Sequence, residues 1–472
     1  MRASADGQRG TCVVATRALA RGTMLLFLPK AAVLSVRSAS NSKVLAALMD
    51  DGLVDQDAAL NLAIAHERGR GRTSHWWPYL CTLPAAEPLP FLWSAAELRL
   101  LAGTGLDTVA RERRAQLARE HAQLRTWCKE HHVALPALEA YLAAASLASS
   151  RAFFVDGHHG EALVPGADCF NHAARLLPEG CEVEGGEEED DEGDEEGDEE
   201  GERLANAHRR AAARAVAVAC GLELRMDTTL HNLGDEGVGM AAMRQLRRGA
   251  EVFNTYGEHP NWVLLANYGF ALRDNPLDTA PLGWGALRAA LSRTLGGSAA
   301  RRRERALRAT GRWGAELGSA PFIFDLSGRP PVRLLRVAWL FCASEEEANG
   351  WMLGGASEEG EEQEAAPAAA FAQLPPTAQL APPHTSACPR SLLLAAVRAQ
   401  VAQLPTAARH AGPRSAARAE VAQSAATLVA GQRAVWRAAE GFLASVAPKG
   451  KRAPRQSRGI SKRGDHVHRR QV

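Results

Sequence analysis

Two stretches decide the fold: LVPGADCFNHA at residues 163–173 and GAEVFNTYGEHPNWVLLANYGFALRDNPLD at residues 249–278. The first places Asp168, Asn171 and His172 within five residues, directly after a strand-like run. The second contains Tyr256 and Tyr268, each followed by Gly, in a chain that has only four tyrosines. A Tyr-Gly pair at a strand end lets the backbone turn while the phenol points into a cavity. By spacing alone, a polar-capped loop and two ordinary turn tyrosines remain the favoured alternatives.

The sequence around these stretches predicts short strands between long helical regions. RAFFV, EALVP, GVGMAAM and AEVFNTY are strand-like runs. Near the start, TCVVAT and TMLLFLP flank a turn at Arg21-Gly22 and predict a hairpin. Apolar residues recur every three or four positions from residue 41 to about residue 149, and helical stretches dominate again from 281 to 447.

The composition is that of an ordinary folded protein, with 472 residues, 46% hydrophobic and 23% charged, and a formal net charge of +1. This balance suggests no nucleic-acid or membrane partner, and no apolar run approaches the roughly 18 residues of a membrane span. Eight scattered cysteines without a CxxC pair argue against a disulfide framework and a structural zinc site. Three segments are predicted to be disordered or mobile: an acidic loop at 182–202 with fifteen Asp and Glu, an Ala/Pro/Glu-rich insertion at about 355–388, and a basic tail at 448–472.

The motifs together resemble those of SET-domain protein methyltransferases of the Rubisco large-subunit methyltransferase type. NH in ADCFNH and YG followed by LLANYGF are the two hallmark motifs of that family, and they occur in the family's order. The stretch at 9–35 resembles the first SET strands, and HERGRGRTSHWWPYLCTLPAAEPLPFLWSAAELRLLAGT at 66–104 resembles the helical insertion. SSRAF at 149–153 resembles the strand that enters the second SET half, and DNPLD at 274–278 continues the YGF motif as in family members.

This resemblance implies an α+β fold: a β-rich knotted SET domain with a helical insertion, followed by a mostly helical C-terminal substrate-binding domain. The implied boundaries are 1–40 and 149–280 for the two parts of the SET domain, with the helical insertion at 41–148 between them. The substrate-binding domain would span 281–447. The NH and YGF segments would cross in a knot that forms a channel between cofactor and substrate.

The resemblance also implies site residues. Tyr256 would be the catalytic residue, and Phe153 and Tyr268 would contact the substrate. The implied cofactor is S-adenosyl-L-methionine, without a metal, and its binding residues would be Gly10, Thr11, Arg151, Asp168, Asn171 and His172. The family's Glu-Gly-x-Gly motif here reads Arg9-Gly10-Thr11-Cys12, so an acid and a glycine are replaced.

The implied activity is S-adenosylmethionine-dependent methylation of lysine in a protein substrate by a monomer. The lysine type has an aromatic residue two positions after the SR arginine and a small residue before the Asp of the NH motif. Phe153 and Ala167 match this pattern. Two alternatives stay open: a histidine methyltransferase of the same family, and a degenerate SET protein that serves as an interaction module. A cytoplasmic location is expected, with chloroplast or nucleus as alternatives.

Overall fold

The computed structural model describes residues 2–3, 11–173, 227–309, 321–342, 389–406 and 418–445. The predicted acidic loop 182–202, the insertion 355–388 and the basic tail 448–472 lie outside the described residues. Gly10 also lies outside them. No described helix is long and apolar enough to cross a membrane.

The described strands are short, and most have two to four residues. In chain order they are β1 (Arg2–Ala3), β2 (Thr11–Cys12), β3 (Met24–Leu28), β4 (Leu34–Ser35), β5 (Ala152–Phe154), β6 (Glu161–Leu163), β7 (Asn171–His172), β8 (Leu230–Asn232), β9 (Val238–Ala241), β10 (Phe253–Asn254), β11 (Thr279–Leu282) and β12 (Phe322–Asp325). The four strand-like runs around the deciding stretches correspond to β5, β6, β9 and β10, which confirms those predictions.

All but one of the described helices lie in the two regions where the sequence predicts them; the exception is the helix from Asn261 to Tyr268, which was not predicted. They are α1 (Ser42–Asp50), α2 (Gln56–Arg70), α3 (Trp77–Leu80), α4 (Ala95–Leu98), α5 (Leu106–Glu130), α6 (Leu138–Arg151), α7 (Asn261–Tyr268), α8 (Trp284–Leu295), α9 (Gly297–Ala309), α10 (Val332–Cys342), α11 (Pro389–Val401) and α12 (Ala419–Ser445).

The strands pair in small sheets whose partners are distant in sequence. One sheet has the order β3-β9-β8 and another β4-β6-β5, all antiparallel. The strands β7 and β10 form a parallel pair, and β11 pairs antiparallel with β12. Sequence separation is therefore a poor guide to strand pairing in this fold.

The predicted N-terminal hairpin is wrong. The turn exists, with Gly22 at φ +84°, but β3 pairs with β9 rather than with TCVVAT. Val14 of the earlier run instead bridges to Glu251, and Leu19, between the run and the turn, bridges to Leu246. Both N-terminal runs therefore have long-range partners, β9 for the later run and residues beyond β9 for the earlier one, and local turn signals carry no information about such partners.

The helices between β4 and β5 form a core of their own. In α2, Asp55 caps the first turn by accepting a hydrogen bond from the Ala58 N–H at 2.8 Å, and Gly71 follows the last turn at φ +55°. The helix is buried from Ala58 to Ala65 and packs against α6. Since α6 ends at Arg151, this packing fixes the point at which the chain re-enters the small sheets.

A second core lies in the C-terminal half, where α8, α10, α11 and α12 pack around β11 and β12. The rings of Phe324 and Trp436 are 5.2 Å apart inside it. The long helix α12 belongs to two cores. Its residues Val435 to Leu443 lie in the C-terminal core, whereas Val421 to Leu428 pack with Leu265 of α7 and with residues of α4 and α5.

Candidate active site

The parallel pair β7–β10 brings the two deciding stretches together. Asn171 lies opposite Phe253, and His172 lies opposite Asn254. The Ala173 N–H extends the pairing by donating to the Asn254 carbonyl at 3.1 Å. The Asn171 side chain donates from Nδ2 to Glu251 Oε1 at 2.8 Å. The polar residues of both motifs therefore lie side by side.

Tyr256 follows β10 and is fixed by two contacts with the other stretch. Its hydroxyl donates to the Phe170 carbonyl at 2.9 Å, and its backbone N–H donates to Nδ1 of buried His172 at 3.0 Å. Burial raises the pKa of the Tyr256 phenol, while Arg151 acts in the opposite direction. The hydroxyl consequently stays protonated at neutral pH and can donate a hydrogen bond but not act as an anionic base.

The Tyr256 ring packs with three others, and together they form an aromatic cluster of His172, Tyr256, Tyr268 and Phe270. The centroids of Tyr256 and Tyr268 are 4.8 Å apart, and those of His172 and Tyr256 are 5.2 Å apart. Phe270 lies 6.1 to 6.4 Å from the other three rings. Aromatic faces attract cations, so the cluster suits a positively charged group.

Tyr268 is the last residue of α7, and Gly269 follows it at φ +81°. Its hydroxyl is 3.4 Å from the Tyr256 carbonyl oxygen. Burial, followed by the nearby Glu161 carboxylate, raises the pKa of Tyr268. Gly257, at φ +110°, cannot readily be another residue, because a Cβ there would overlap the His259 ring. Tyr256-Gly257 therefore turns the chain after a strand, as predicted, whereas Tyr268-Gly269 ends a helix and not a strand.

A charged cluster, made of Tyr79, Glu87, Arg151 and Asp168, lies beside the aromatic cluster. The Arg151 guanidinium binds Glu87 Oε1 at 2.7 Å and Asp168 Oδ2 at 3.0 Å. The Tyr79 hydroxyl donates to the same Asp168 oxygen at 3.0 Å. Burial alone would lower the pKa of Arg151, but the Glu87 and Asp168 carboxylates together raise it. Burial and then Asp168 raise the pKa of Tyr79.

The charged cluster fixes the backbone turn that leads to Phe170, whose carbonyl holds the Tyr256 hydroxyl. Asp168 lies in a short 3₁₀ turn, Ala167–Cys169, and its Oδ1 accepts a hydrogen bond from the Gly166 N–H at 3.2 Å. The next residue is Phe170, whose carbonyl accepts the Tyr256 hydroxyl. The cluster has one more carboxylate than cation, so its field also favours a positive group.

The structure brings together most of the predicted site residues, namely Arg151, Asp168, Asn171, His172, Tyr256 and Tyr268. Phe153 lies in β5 at the edge of the core around Phe170, and its ring makes no aromatic contact with the tyrosines in the described part of the chain. Thr11 lies in β2, opposite Ala3 of β1. No group of three or more potential metal ligands occurs among the described residues.

Tyr79, Glu87 and Glu251 are residues of this region that sequence reasoning missed. Tyr79 and Glu87 come from the helical insertion, far from both motifs in sequence. A signal for Tyr79 existed, because the chain has only four tyrosines and two of them were already assigned to the site. Glu251 had no comparable signal, since its partnership with Asn171 depends on the pairing of β7 with β10.

No family model matches the chain. The chain is 29% identical over 329 residues to ribosomal lysine N-methyltransferase 3 of Saccharomyces cerevisiae, which covers 58% of this chain and 59% of that protein. It is 26% identical over 285 residues to N-lysine methyltransferase SETD6 of Bos taurus, covering 58% and 53%. A shorter match, 30% over 112 residues and 23% and 20% of the two lengths, is to actin-histidine N-methyltransferase of Drosophila melanogaster. The chain thus spans somewhat more than half the length of the first two relatives.

The solved structure of Rubisco LSMT bound to AdoMet matches with a TM-score of 0.57 at 15% identity, over 94% of this chain and 86% of that one. The SET domain of LSMT bound to lysine and AdoHcy matches with a TM-score of 0.54 at 15% identity, over 94% and 86% of the two chains. These matches confirm the predicted α+β fold class. The chain therefore has the SET-domain fold of Rubisco LSMT, as its motifs predict.

Proposed function

We propose that this protein is an S-adenosylmethionine-dependent lysine N-methyltransferase that acts on another protein. One observation carries the proposal: the Tyr256 hydroxyl is fixed against the Phe170 carbonyl, within an aromatic cluster, where the two motif strands pair. The names of two of the longer sequence matches, both lysine methyltransferases, support it. The LSMT structures bound to cofactor support the choice of cofactor.

The residues present fit a sulfonium cofactor, because aromatic rings pack against the Tyr256 ring and a cluster with an excess of carboxylate acts electrostatically on its phenol. When bound, S-adenosylmethionine supplies a methyl group activated by its positive sulfur. Asn171 and His172 would hold it together with Gly10 and Thr11. The contacts of Arg151 to Glu87 and Asp168 use most of its five N–H groups, so its main role is to orient these carboxylates.

Tyr256 would orient the amine and the transferring methyl. Its hydroxyl hydrogen is engaged by the Phe170 carbonyl, which leaves the oxygen lone pairs to accept C–H and N–H contacts. Because burial raises the pKa of Tyr256, the residue positions the reactants and does not remove the amine proton. Two reactants held in line can gain roughly 7–11 kcal/mol in effective concentration.

The substrate assignment rests on charge and on residue size. The excess carboxylate of the charged cluster would attract a lysine side chain, which is a cation in solution. Tyr268 would line its path, as would Phe153. Ala167, fully buried directly before Asp168, is the small residue of the lysine type at the position where the histidine type has a bulky one.

The domain roles form part of the same proposal. The residues from 281 to 447 would bind the substrate protein, and the segments around β7 and β10 would form the knotted crossing. The packing of α12 against both α7 and the C-terminal core supports a joint action of the two halves. The monomeric state and the location in the cell stay predictions.

Cofactor binding provides the first test. Calorimetry with S-adenosylhomocysteine should show binding, and Asn171→Ala should weaken it, because the Asn171 amide fixes the strand pair through Glu251. A protein that shows neither heat nor a thermal shift at saturating ligand would be an interaction module instead.

The Tyr256→Phe variant tests catalysis. The ring keeps its place while the hydroxyl is lost, so single-turnover methylation should slow by about 2–4 kcal/mol, or roughly 30- to 1,000-fold, with cofactor affinity unchanged. The measurement uses tritiated S-adenosylmethionine and the lysate protein that the wild type labels. A wild-type rate in this variant would contradict the role of Tyr256.

The alternative with its own supporting observation is a histidine methyltransferase, because one shorter sequence match carries that name. Mass spectrometry of the labelled protein separates the two activities directly. Methyl groups on lysine support the proposal, and methyl groups on a histidine ring support the alternative.

A further inference from the structure

A buried carboxylate holds the start of the helix that ends in Tyr268. Asp278 is 2% exposed, and its Oδ1 accepts the backbone N–H of Asn261, the first residue of α7, at 3.0 Å. Its Oδ2 accepts from Asn261 Nδ2 at 2.9 Å. The first N–H groups of a helix lack partners within the helix, and its N-terminus is favourable for negative charge. Asp278 satisfies the first requirement in either protonation state and the second when it is ionised.

The neighbouring amides complete what we call the amide network: Asn261, Asn275, Asp278 and the backbone of Leu272. The Asn261 side chain accepts from the Leu272 N–H at 2.7 Å and donates to the Leu272 carbonyl at 2.9 Å. Asn275 donates to the His259 carbonyl at 3.0 Å. The network therefore ties the start of α7 to the chain on both sides of it.

α7 carries this constraint to the aromatic cluster. Its eight residues span about 10 Å from Asn261 to Tyr268, and the backbone hydrogen bonds of the helix make them move together. A displacement at Asn261 therefore displaces the Tyr268 ring, which lies 4.8 Å from the Tyr256 ring. The network also reaches the cluster through His259, whose carbonyl accepts from Asn275 and whose ring lies 6.3 Å from the Tyr268 ring.

Helix α12 lies directly over the Asp278 carboxylate, and a glycine makes this approach possible. A Cβ on Gly431 would overlap the Asp278 carboxylate and would lie in ordinary contact with Asn261 Nδ2 at 3.5 Å. The other described glycine of α12, Gly441, has open space around its Cβ position. Helix interiors disfavour glycine by about 1 kcal/mol relative to alanine, so the close approach accounts for Gly431 and not for Gly441.

We propose that Asp278 is a positioning residue for Tyr268, and that its contact with Gly431 is where the C-terminal half of the chain sets the position of α7. The proposal rests on the methyltransferase function proposed above. It assigns to α12 a route by which a protein bound to the C-terminal half would change the geometry around the amine. Neither residue contacts the reacting atoms.

The test compares Gly431→Ala with Gly441→Ala as the matched control, in the full chain. Gly431→Ala should increase hydrogen–deuterium exchange in α7 and slow single-turnover methylation of the labelled lysate protein by about 10- to 100-fold, because small misplacements have effects of this size. The affinity for S-adenosylhomocysteine should not change. Gly441→Ala should leave α7 exchange and rate as in the wild type.

A double variant distinguishes this specific contact from a general loss of stability. Asp278→Ala removes the group with which the new Cβ collides, so adding Gly431→Ala to it should cost little more in rate or in exchange protection. If Gly431→Ala does not fold, Asp278→Asn, which keeps the volume, should raise exchange in the same helix.

The outcomes separate this inference from the proposed function. Equal α7 exchange in Gly431→Ala and Gly441→Ala would overturn the coupling, whatever the activity. Effects of Gly431→Ala and Asp278→Ala that simply add would overturn it as well. A wild type that binds no cofactor and transfers no methyl group would end the proposed function, and the exchange measurement would still decide whether α12 positions α7.

Discussion

Two polar clusters lie beside the aromatic rings, and each fixes the backbone that positions one of the two site tyrosines. They differ in how their carboxylates are balanced by charge. The charged cluster steadies the turn before Phe170, which holds Tyr256, through a guanidinium between two carboxylates. The amide network steadies α7, which carries Tyr268, through Asp278 and side-chain amides. Among the described residues, Asp278 has no cation within ion-pair distance.

The difference lies in how each cluster responds to protons. Opposite charges keep Arg151 charged in the charged cluster, because its carboxylate partners raise its pKa. Burial raises the pKa of Asp278 to about 7, even though hydrogen bonds from Asn261 oppose the rise. A buried carboxylate without a cation, such as Asp278, is therefore sensitive to pH in the neutral range.

Removing the cation of the charged cluster should have the largest effect on the free energy of unfolding. Arg151→Met leaves Glu87 and Asp168 buried without their partner, and the free energy of unfolding should fall by about 3–5 kcal/mol. Urea unfolding measures this change. Arg111→Met is the control, since Arg111 pairs with Asp107 on the exposed side of α5, and it should cost less than about 1 kcal/mol. Similar losses in the two variants would show that the charged cluster adds nothing specific.

Removing the phenol hydroxyl should weaken the same cluster less. Tyr79→Phe deletes one hydrogen bond to the charged Asp168, so unfolding should become easier by about 1.5–3 kcal/mol. The same substitution in the Arg151→Met background should give a different loss, because both residues act on one carboxylate oxygen. Identical losses in both backgrounds would mean that Tyr79 and Arg151 act independently.

Replacing Asp278, the carboxyl group of the amide network, should have the smallest effect on stability at neutral pH. Its effect should depend on pH, which distinguishes the two clusters. Asp278 holds its proton in the folded state up to about pH 7, whereas its ordinary pKa is 3.8. Its contribution to stability is therefore full below about pH 4 and is lost as the pH rises through 7.

The Asp278→Asn variant removes this titration. Its free energy of unfolding should vary less between pH 4 and 7 than that of the wild type, whose loss due to Asp278 is at most about 1.4 kcal/mol per pH unit. At pH 7 the two proteins should differ by about 1 kcal/mol, the value of one hydrogen bond. Urea titrations across this pH range make the measurement, and parallel curves for the two proteins would contradict the raised pKa.

Much of the fold could be predicted from local patterns. The three-to-four-residue spacing of apolar residues located α2 and α6, and β-rich runs located β5, β6, β9 and β10, because these features depend on neighbours in sequence. The pairing of β3 with β9 could not be predicted, since it depends on a partner more than two hundred positions away. The motif resemblance, not periodicity, supplied the SET fold.

The site divides in the same way. Asn171, His172, Tyr256 and Tyr268 stood out because each motif is compact in sequence. Tyr79 and Glu87 did not, because their role exists only once α6 places Arg151 beside Asp168. A hydrogen bond between residues that tertiary packing brings together produces no periodic pattern in the sequence.

The sheet β4-β6-β5 has a consequence for how the chain can change in length. Leu34 of β4 and Ala152 of β5 both lie opposite Leu163 of β6, so the helical segment between them leaves and returns about 10 Å apart. Closing a loop costs free energy that grows only slowly with its length. Helical turns can therefore be gained or lost within this segment during evolution. Its two ends stay paired with β6, so Arg151, which directly precedes β5, keeps its position.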